Sequence, residues 1–74
     1  MIALLTDFGT RDHFVASMKG VILTIAPTAT IIDITHEIEP QNTRQAFFTL
    51  SACHRDMPPG TIIVAVVDPG VGTD

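Results

Sequence analysis

Three short apolar runs, each ending at or directly before a polar residue and separated from the next by a helix-length segment, limit this chain more than any other feature. Ile2 to Thr6 reads IALLT, Ala29 to Thr35 reads ATIIDIT, and Thr61 to Val67 reads TIIVAVV. The third is the most uniform. Its β-branched and small apolar residues show no polar alternation, as expected of a strand covered on both faces of a parallel sheet. Between the first two runs, Phe14, Met18, Val21, Ile22 and Ile25 recur at helical spacing, with Asp12 placed as N-cap and Pro27 as terminator. Gly20 weakens that helix by about 1 kcal/mol relative to Ala, which a close approach of helix to sheet would explain. Beyond Pro40, Asn42 and Gln45 form a capping pair, and Ala46, Phe47, Leu50 and Cys53 share one face of a second helix. Pro58-Pro59-Gly60 stops it. The predicted order is β-α-β-α-β: an α/β fold with a parallel sheet and right-handed crossovers.

A parallel sheet brings the carboxyl ends of its strands to one edge, where ligands of open α/β sheets gather. Here that edge carries Thr6-Asp7, Thr35-His36-Glu37 and Asp68. Such an acidic edge suits a ligand with hydroxyls or positive charge. It does not suit a phosphate: the first strand-helix loop has Gly9 alone where a dinucleotide fingerprint needs G-x-G-x-x-G, and no G-K-[ST] occurs. Gly70 and Gly72 make only a G-x-G, and Asp7-Phe8-Gly9 matches a kinase triplet without the kinase elements that would precede it. Asp68 supports two readings on these residues alone. Asp-Pro-Gly is a good β-turn sequence, and a carboxylate at a strand tip is also a good ligand or acid-base group.

Seventy-four residues amount to one small domain at most, and a chain this short buries only about 60% of its unfolded surface. The single cysteine, Cys53, leaves no intrachain disulfide, reads as a small core residue and fits a reducing compartment. No apolar run approaches the ~18 residues of a membrane span, and MIALLTDFG lacks the basic n-region of a signal peptide. Four basic against eight acidic residues give a net charge of −4, which argues against nucleic acid or an anionic membrane as partner. His13, His36 and His54 have no metal-ligand spacing and read as surface or helix-end residues, so no metal site is expected. Ser17 and Ser51 lie within helices, with no nucleophile elbow. Lys19 and Arg44 read as solvated helix residues.

Taken together, LLTDFGTRDHFVASMKGVI, IIDITHEI and PPGTIIVAVVDPGVGT resemble one family, in three separated motifs that span essentially the whole chain. They look like the N-terminal domain of the S-adenosyl-L-methionine (SAM) hydrolases, the hydroxide adenosyltransferases related to the SAM-dependent fluorinase and chlorinase. The resemblance implies that residues 1–74 are the N-terminal part of an α/β SAM-binding domain, with a β-barrel-like C-terminal domain following. It also implies a cytoplasmic homotrimer with sites between neighbouring subunits. The implied reaction takes SAM as substrate, without further cofactor, and gives adenosine and methionine by displacement at the ribose C5′. Carried onto this chain, Asp7 matches the acid that holds the ribose hydroxyls and Asp12 the acid near the methionine amino group. Asp68 matches the catalytic acid of an Asp-Arg-His set that positions water, where the halogenases have a tyrosine. The family's arginine and histidine fall after Asp74, so the 74 residues alone are expected to be inactive. Phe14 stands where the fluorinase has a serine, so the amino-acid end of the substrate is expected to be held differently. A nucleoside-binding module without turnover, a structural α/β lobe and a halogenase relative are the alternatives.

Overall fold

The computed structural model describes residues 1–67. They run β1 (Ile2–Thr6), α1 (Phe14–Ile25), β2 (Ile31–Thr35), α2 (Thr43–Cys53), a short 3-10 turn (His54–Asp56) and β3 (Ile62–Val66). Both strand pairings are parallel, and the order across the sheet is β2-β1-β3. This is the α/β arrangement the alternation of runs implies. β1 keeps its expected bounds, while β2 and β3 are trimmed by one or two residues at an end.

The strand covered on both faces is β1, not β3 as its composition suggested. Ala3, Leu4, Leu5 and Thr6 are all 0% exposed, because β1 has a neighbour on each side. Ile62 of β3 is 61% exposed. The most uniformly apolar run is therefore an edge strand among the described residues.

Register shows how the helices are placed. Leu5 packs with Ala46, and Leu50 of α2 packs against the same cluster. Asp33, paired across the ladder with Leu4, is ion-paired to Lys19 of α1 at 2.8 Å. Successive strand residues point to opposite faces, so α1 lies on the Leu4 face and α2 on the Leu5 face. Both faces of the central strand are thereby closed.

α1 departs from expectation in three ways. Its half-buried residues are Val15, Met18, Lys19 and Ile22, an i, i+3, i+4, i+7 stripe rotated away from Phe14, Val21 and Ile25, which are 50%, 61% and 80% exposed. Lys19 belongs to the inward stripe, and its ammonium reaches Asp33 of β2. Second, Asp12 is exposed and is not the cap. His13 is the N-cap residue and makes no side-chain capping bond. The entry to the helix is held instead by rings, with His13 and Phe14 at 4.8 Å and Phe8 and Phe14 at 6.0 Å between centroids. Third, Gly20 does not mark a close helix-sheet approach: it is exposed, and a Cβ there would meet nothing within 4 Å.

α2 starts as its sequence suggests. Asn42 Oδ1 accepts the Gln45 N–H at 2.9 Å, while Gln45 Oε1, on the side chain, accepts the N–H of Glu39 at 2.8 Å. The second half of the capping box thus reaches three residues further back than usual. Ala46 is buried and Leu50 and Cys53 half-buried, but Phe47 is 73% exposed.

Truncation of the central strand should show in stability. Leu5→Ala is expected to cost about 2–5 kcal/mol through the lost burial and the cavity left behind. Phe47→Ala should stay within about 0.5 kcal/mol. Urea denaturation of the two variants checks the difference, and similar losses from both would contradict the placement of the core.

Candidate active site

The site is built from an irregularity in β2. Ladder partners run Ile2↔Ile31, Ala3↔Ile32 and Leu4↔Asp33, then shift so that Leu5 pairs with Thr35. Ile34 is the inserted residue, and it turns to pack against the α2 cluster. In an unbroken strand, residues 33 and 36 would point to opposite faces. The bulge cancels one alternation and puts Asp33 and His36 on one side, level with Thr6.

A continuous chain of hydrogen bonds results. The Phe8 N–H donates to Thr6 Oγ1 at 3.2 Å, and Thr6 Oγ1 and His36 Nδ1 lie 2.7 Å apart. His36 Nε2 is 2.7 Å from Asp33 Oδ1, and Lys19 Nζ donates to Asp33 Oδ2 at 2.8 Å. A carboxylate only accepts, so the proton between His36 and Asp33 belongs to Nε2. With the imidazole neutral, the Thr6 hydroxyl donates to Nδ1, and each polar atom of the chain is satisfied. Thr6 is fully buried and His36 is 5% exposed. His36 is therefore not the surface residue that its spacing suggested, and Lys19 is not simply solvated. Sequence reasoning placed Thr6 and His36 at this edge but missed the hydrogen bond between them and the link from His36 to Asp33. The available signal was an acid interrupting an apolar strand, three residues before a histidine.

The same histidine holds the loop after β1 through its backbone, since the Gly9 N–H donates to the His36 carbonyl at 2.7 Å. Gly9 adopts φ +74°, a region an L side chain enters at a cost of about 1–2 kcal/mol. Asp7 is thus bracketed between two fastened neighbours. Its own N–H donates to the Val66 carbonyl of β3 at 3.3 Å, and its Oδ2 accepts the Gln41 N–H at 2.9 Å.

A cavity of about 280 Å³ opens at this edge, lined by residues 7–9 and 36–40. That is close to the ~300 Å³ lower end of small-molecule sites. Its lining includes the carboxylates Asp7, Glu37 and Glu39 and no lysine or arginine among the described residues. The polarity matches the acidic, phosphate-excluding edge expected from sequence. Asp12 is not part of the lining. Asp68 lies outside the described residues, as do Pro69 and Gly70. Among those residues there is no grouping of three or more His, Cys, Asp or Glu able to hold a metal, and no helix is long and apolar enough to cross a membrane.

This geometry, an acid at the tip of the central strand beside a carboxylate-lined hollow, is accompanied by a family match over nearly all 74 residues. The model of the SAM hydroxide adenosyltransferase N-terminal domain matches residues 2–74. The chain belongs to that family. It is 40% identical over 72 residues to the (R)-S-adenosyl-L-methionine hydrolase of Thermus thermophilus, covering 97% of this chain and 28% of that protein. It is also 34% identical over 73 residues to a fluorinase of Actinoplanes sp., covering 99% of this chain and 24% of the fluorinase. A crystal structure of an uncharacterized conserved protein from Thermotoga maritima superposes with a TM-score of 0.92 at 51% identity, over 100% of this chain and 28% of that one. The chain therefore spans less than a third of the length of these relatives.

Asp33 links the site to pH. The hydrogen bond from Lys19, and then that from His36, holds its carboxyl below the ordinary value of 3.8. A carboxylate whose folded pKa is depressed contributes stability above its unfolded pKa, and that contribution is lost as pH falls through the folded value. The side chain is 42% exposed, so solvent screening keeps the effect small. Asp33→Asn is expected to lower stability at pH 7, with the gap to the parent protein closing as pH falls below about 4. Urea melts at pH 7 and pH 3 measure this, and an equal loss at both would contradict the linkage.

Proposed function

We propose that this chain is the nucleoside-holding part of a SAM hydrolase that converts SAM and water to adenosine and methionine by attack at the ribose C5′. The single observation that carries the reading is the position of Asp7. It stands at the carboxyl end of the central strand, directly after four fully buried residues, in a carboxylate-lined cavity, in a family with relatives named SAM hydrolase. Strand order β2-β1-β3 makes the β1/β3 gap the point where the chain reverses direction across the sheet, the usual place for a ligand in an open α/β fold; Asp7, at the tip of β1, borders that gap as well as the cavity on the β2 side.

The chemistry is consistent. A ribose presents two hydroxyls, and one carboxylate can accept from both. Each charge-assisted bond contributes roughly 1.5–3 kcal/mol, enough to fix the sugar for in-line attack. In this reading Asp68 orients the water and takes its proton late. A carboxylate of ordinary pKa near ~4 lies about 12 units below water, equivalent to roughly 16 kcal/mol. Asp68 therefore acts with partners, the arginine and histidine that the family resemblance implies, rather than by making free hydroxide. The sulfonium charge disappears as its bond to C5′ breaks, so an acid beside sulfur would oppose the reaction. The acids accordingly belong near ribose and water. Asp12 is assigned to the methionine amino group, no further cofactor is assigned, and the assembly is a cytoplasmic homotrimer. Exposed apolar side chains such as Val21, Ile25, Phe47 and Phe48 support burial against other parts of such a protein. The identity to the fluorinase keeps halide transfer as the second reading.

Adenosine release from SAM by the longer protein tests the proposal. Asp68→Ala is expected to abolish it, and Asp7→Ala to raise KM by about ten- to a hundredfold. Halide-dependent formation of a 5′-halo-nucleoside would favour the second reading. Adenosine binding with no turnover of SAM would reduce the protein to a nucleoside-binding module.

A further inference from the structure

We propose that Gln41 is a positioning residue for Asp7 and acts through its backbone rather than its side chain; this rests on Asp7 being the acid that receives the ribose hydroxyls. Residues 39–42 form a β-turn closed by the Asn42 N–H donating to the Glu39 carbonyl at 2.9 Å. Pro40 fixes a negative φ at the second position, and Gln41 has φ +66° at the third. That combination is a type II turn, in which glycine or asparagine is usual at the third position. Gln41 is the described non-glycine residue with positive φ.

Type I and type II turns differ by a near half-rotation of the central peptide, here the one joining Pro40 to Gln41. The rotation decides which way the Gln41 N–H points. In the type II form it meets Asp7 Oδ2 at 2.9 Å; in the type I form it would turn away. A charge-assisted bond offsets the unfavourable φ, so acid and turn hold each other in place. The turn itself is anchored at both ends. Asn42 caps α2 through the Gln45 N–H, and the Glu39 N–H is held by the Gln45 side chain. With one site on Oδ2 occupied, the remaining lone pairs of the carboxylate are left for a pair of neighbouring hydroxyls. The ligand class this geometry recognises is a nucleoside with an intact 2′,3′-cis-diol.

A substitution series in the longer protein separates backbone from side chain. Gln41→Gly and Gln41→Asn keep the N–H and favour positive φ, whereas Gln41→Val disfavours it. Calorimetric affinities for adenosine and 2′-deoxyadenosine are the readout, with thermal melting to follow folding. The glycine and asparagine variants are expected to bind adenosine within about threefold of the parent, and the valine variant about tenfold or more weakly. 2′-Deoxyadenosine, lacking one hydroxyl, should lose less. Should Gln41→Val fail to fold, Gln41→Ala takes its place as the milder case. Equal losses in the Gly, Asn and Val variants would overturn the inference in favour of a side-chain role, and so would equal losses for both nucleosides. Asp7→Ala is the control: unchanged adenosine affinity there overturns the ribose reading and the inference with it. A loss in Asp7→Ala beside a flat Gln41 series overturns the inference alone.

Discussion

The arrangement at the carboxyl edge depends on one hydrogen bond between two buried side chains, Thr6 Oγ1 and His36 Nδ1, 2.7 Å apart. Leaving either group unpaired in that position would cost about 1–3 kcal/mol, so each fixes the other. The bond joins β1 to the end of β2 beyond the bulge, where the regular ladder has already shifted. Through Phe8 N–H to Thr6 and Gly9 N–H to the His36 carbonyl, it also fastens the loop that carries Asp7. The acid is therefore not on a free loop. It is set between residues tied to the buried histidine, with Gln41 closing the remaining side.

The electrostatics follow the same division. Positive charge from Lys19 is drawn to Asp33, on the face of the sheet covered by α1. The cavity side keeps Asp7, Glu37 and Glu39. One acid is neutralised in an ion pair away from the hollow while three line it. A ligand entering there meets hydrogen-bond acceptors and negative potential, which suits a hydroxylated, cationic molecule and opposes a phosphate. The closure of β1, by β2 and β3 at its sides and by a helix on each face, gives those acids a rigid base. Rigid elements hold a binding constellation more accurately than loops do.

Much of this was legible in the residues, and what was not has physical reasons. β1 was readable to the residue because an apolar run bounded by Asp7 has few alternatives. Asn42 with Gln45 was readable because capping is a local interaction. The misplaced features were those decided by tertiary contacts. The apolar character of Thr61 to Val67 speaks of what a strand can bury, not of where it sits in a sheet, and β3 proved an edge among the described residues. His36 looks like a surface residue until the bulge at Ile34 brings it level with Thr6, and register shifts leave little local trace. Lys19 looks solvated until its ammonium is seen to need Asp33. Gln41 carries no positive-φ signature at all, since glycine or asparagine would be the expected residue. Asp68 lies beyond residue 67, so its role rests on the family resemblance.

The most direct measurement is a crystal structure of the longer protein with adenosine bound. The expected result is a ribose whose two hydroxyls both lie within about 3 Å of the Asp7 carboxylate, with the Gln41 N–H still on Oδ2. A nucleoside seated elsewhere on the protein, or one whose hydroxyls avoid Asp7, would contradict the central claim.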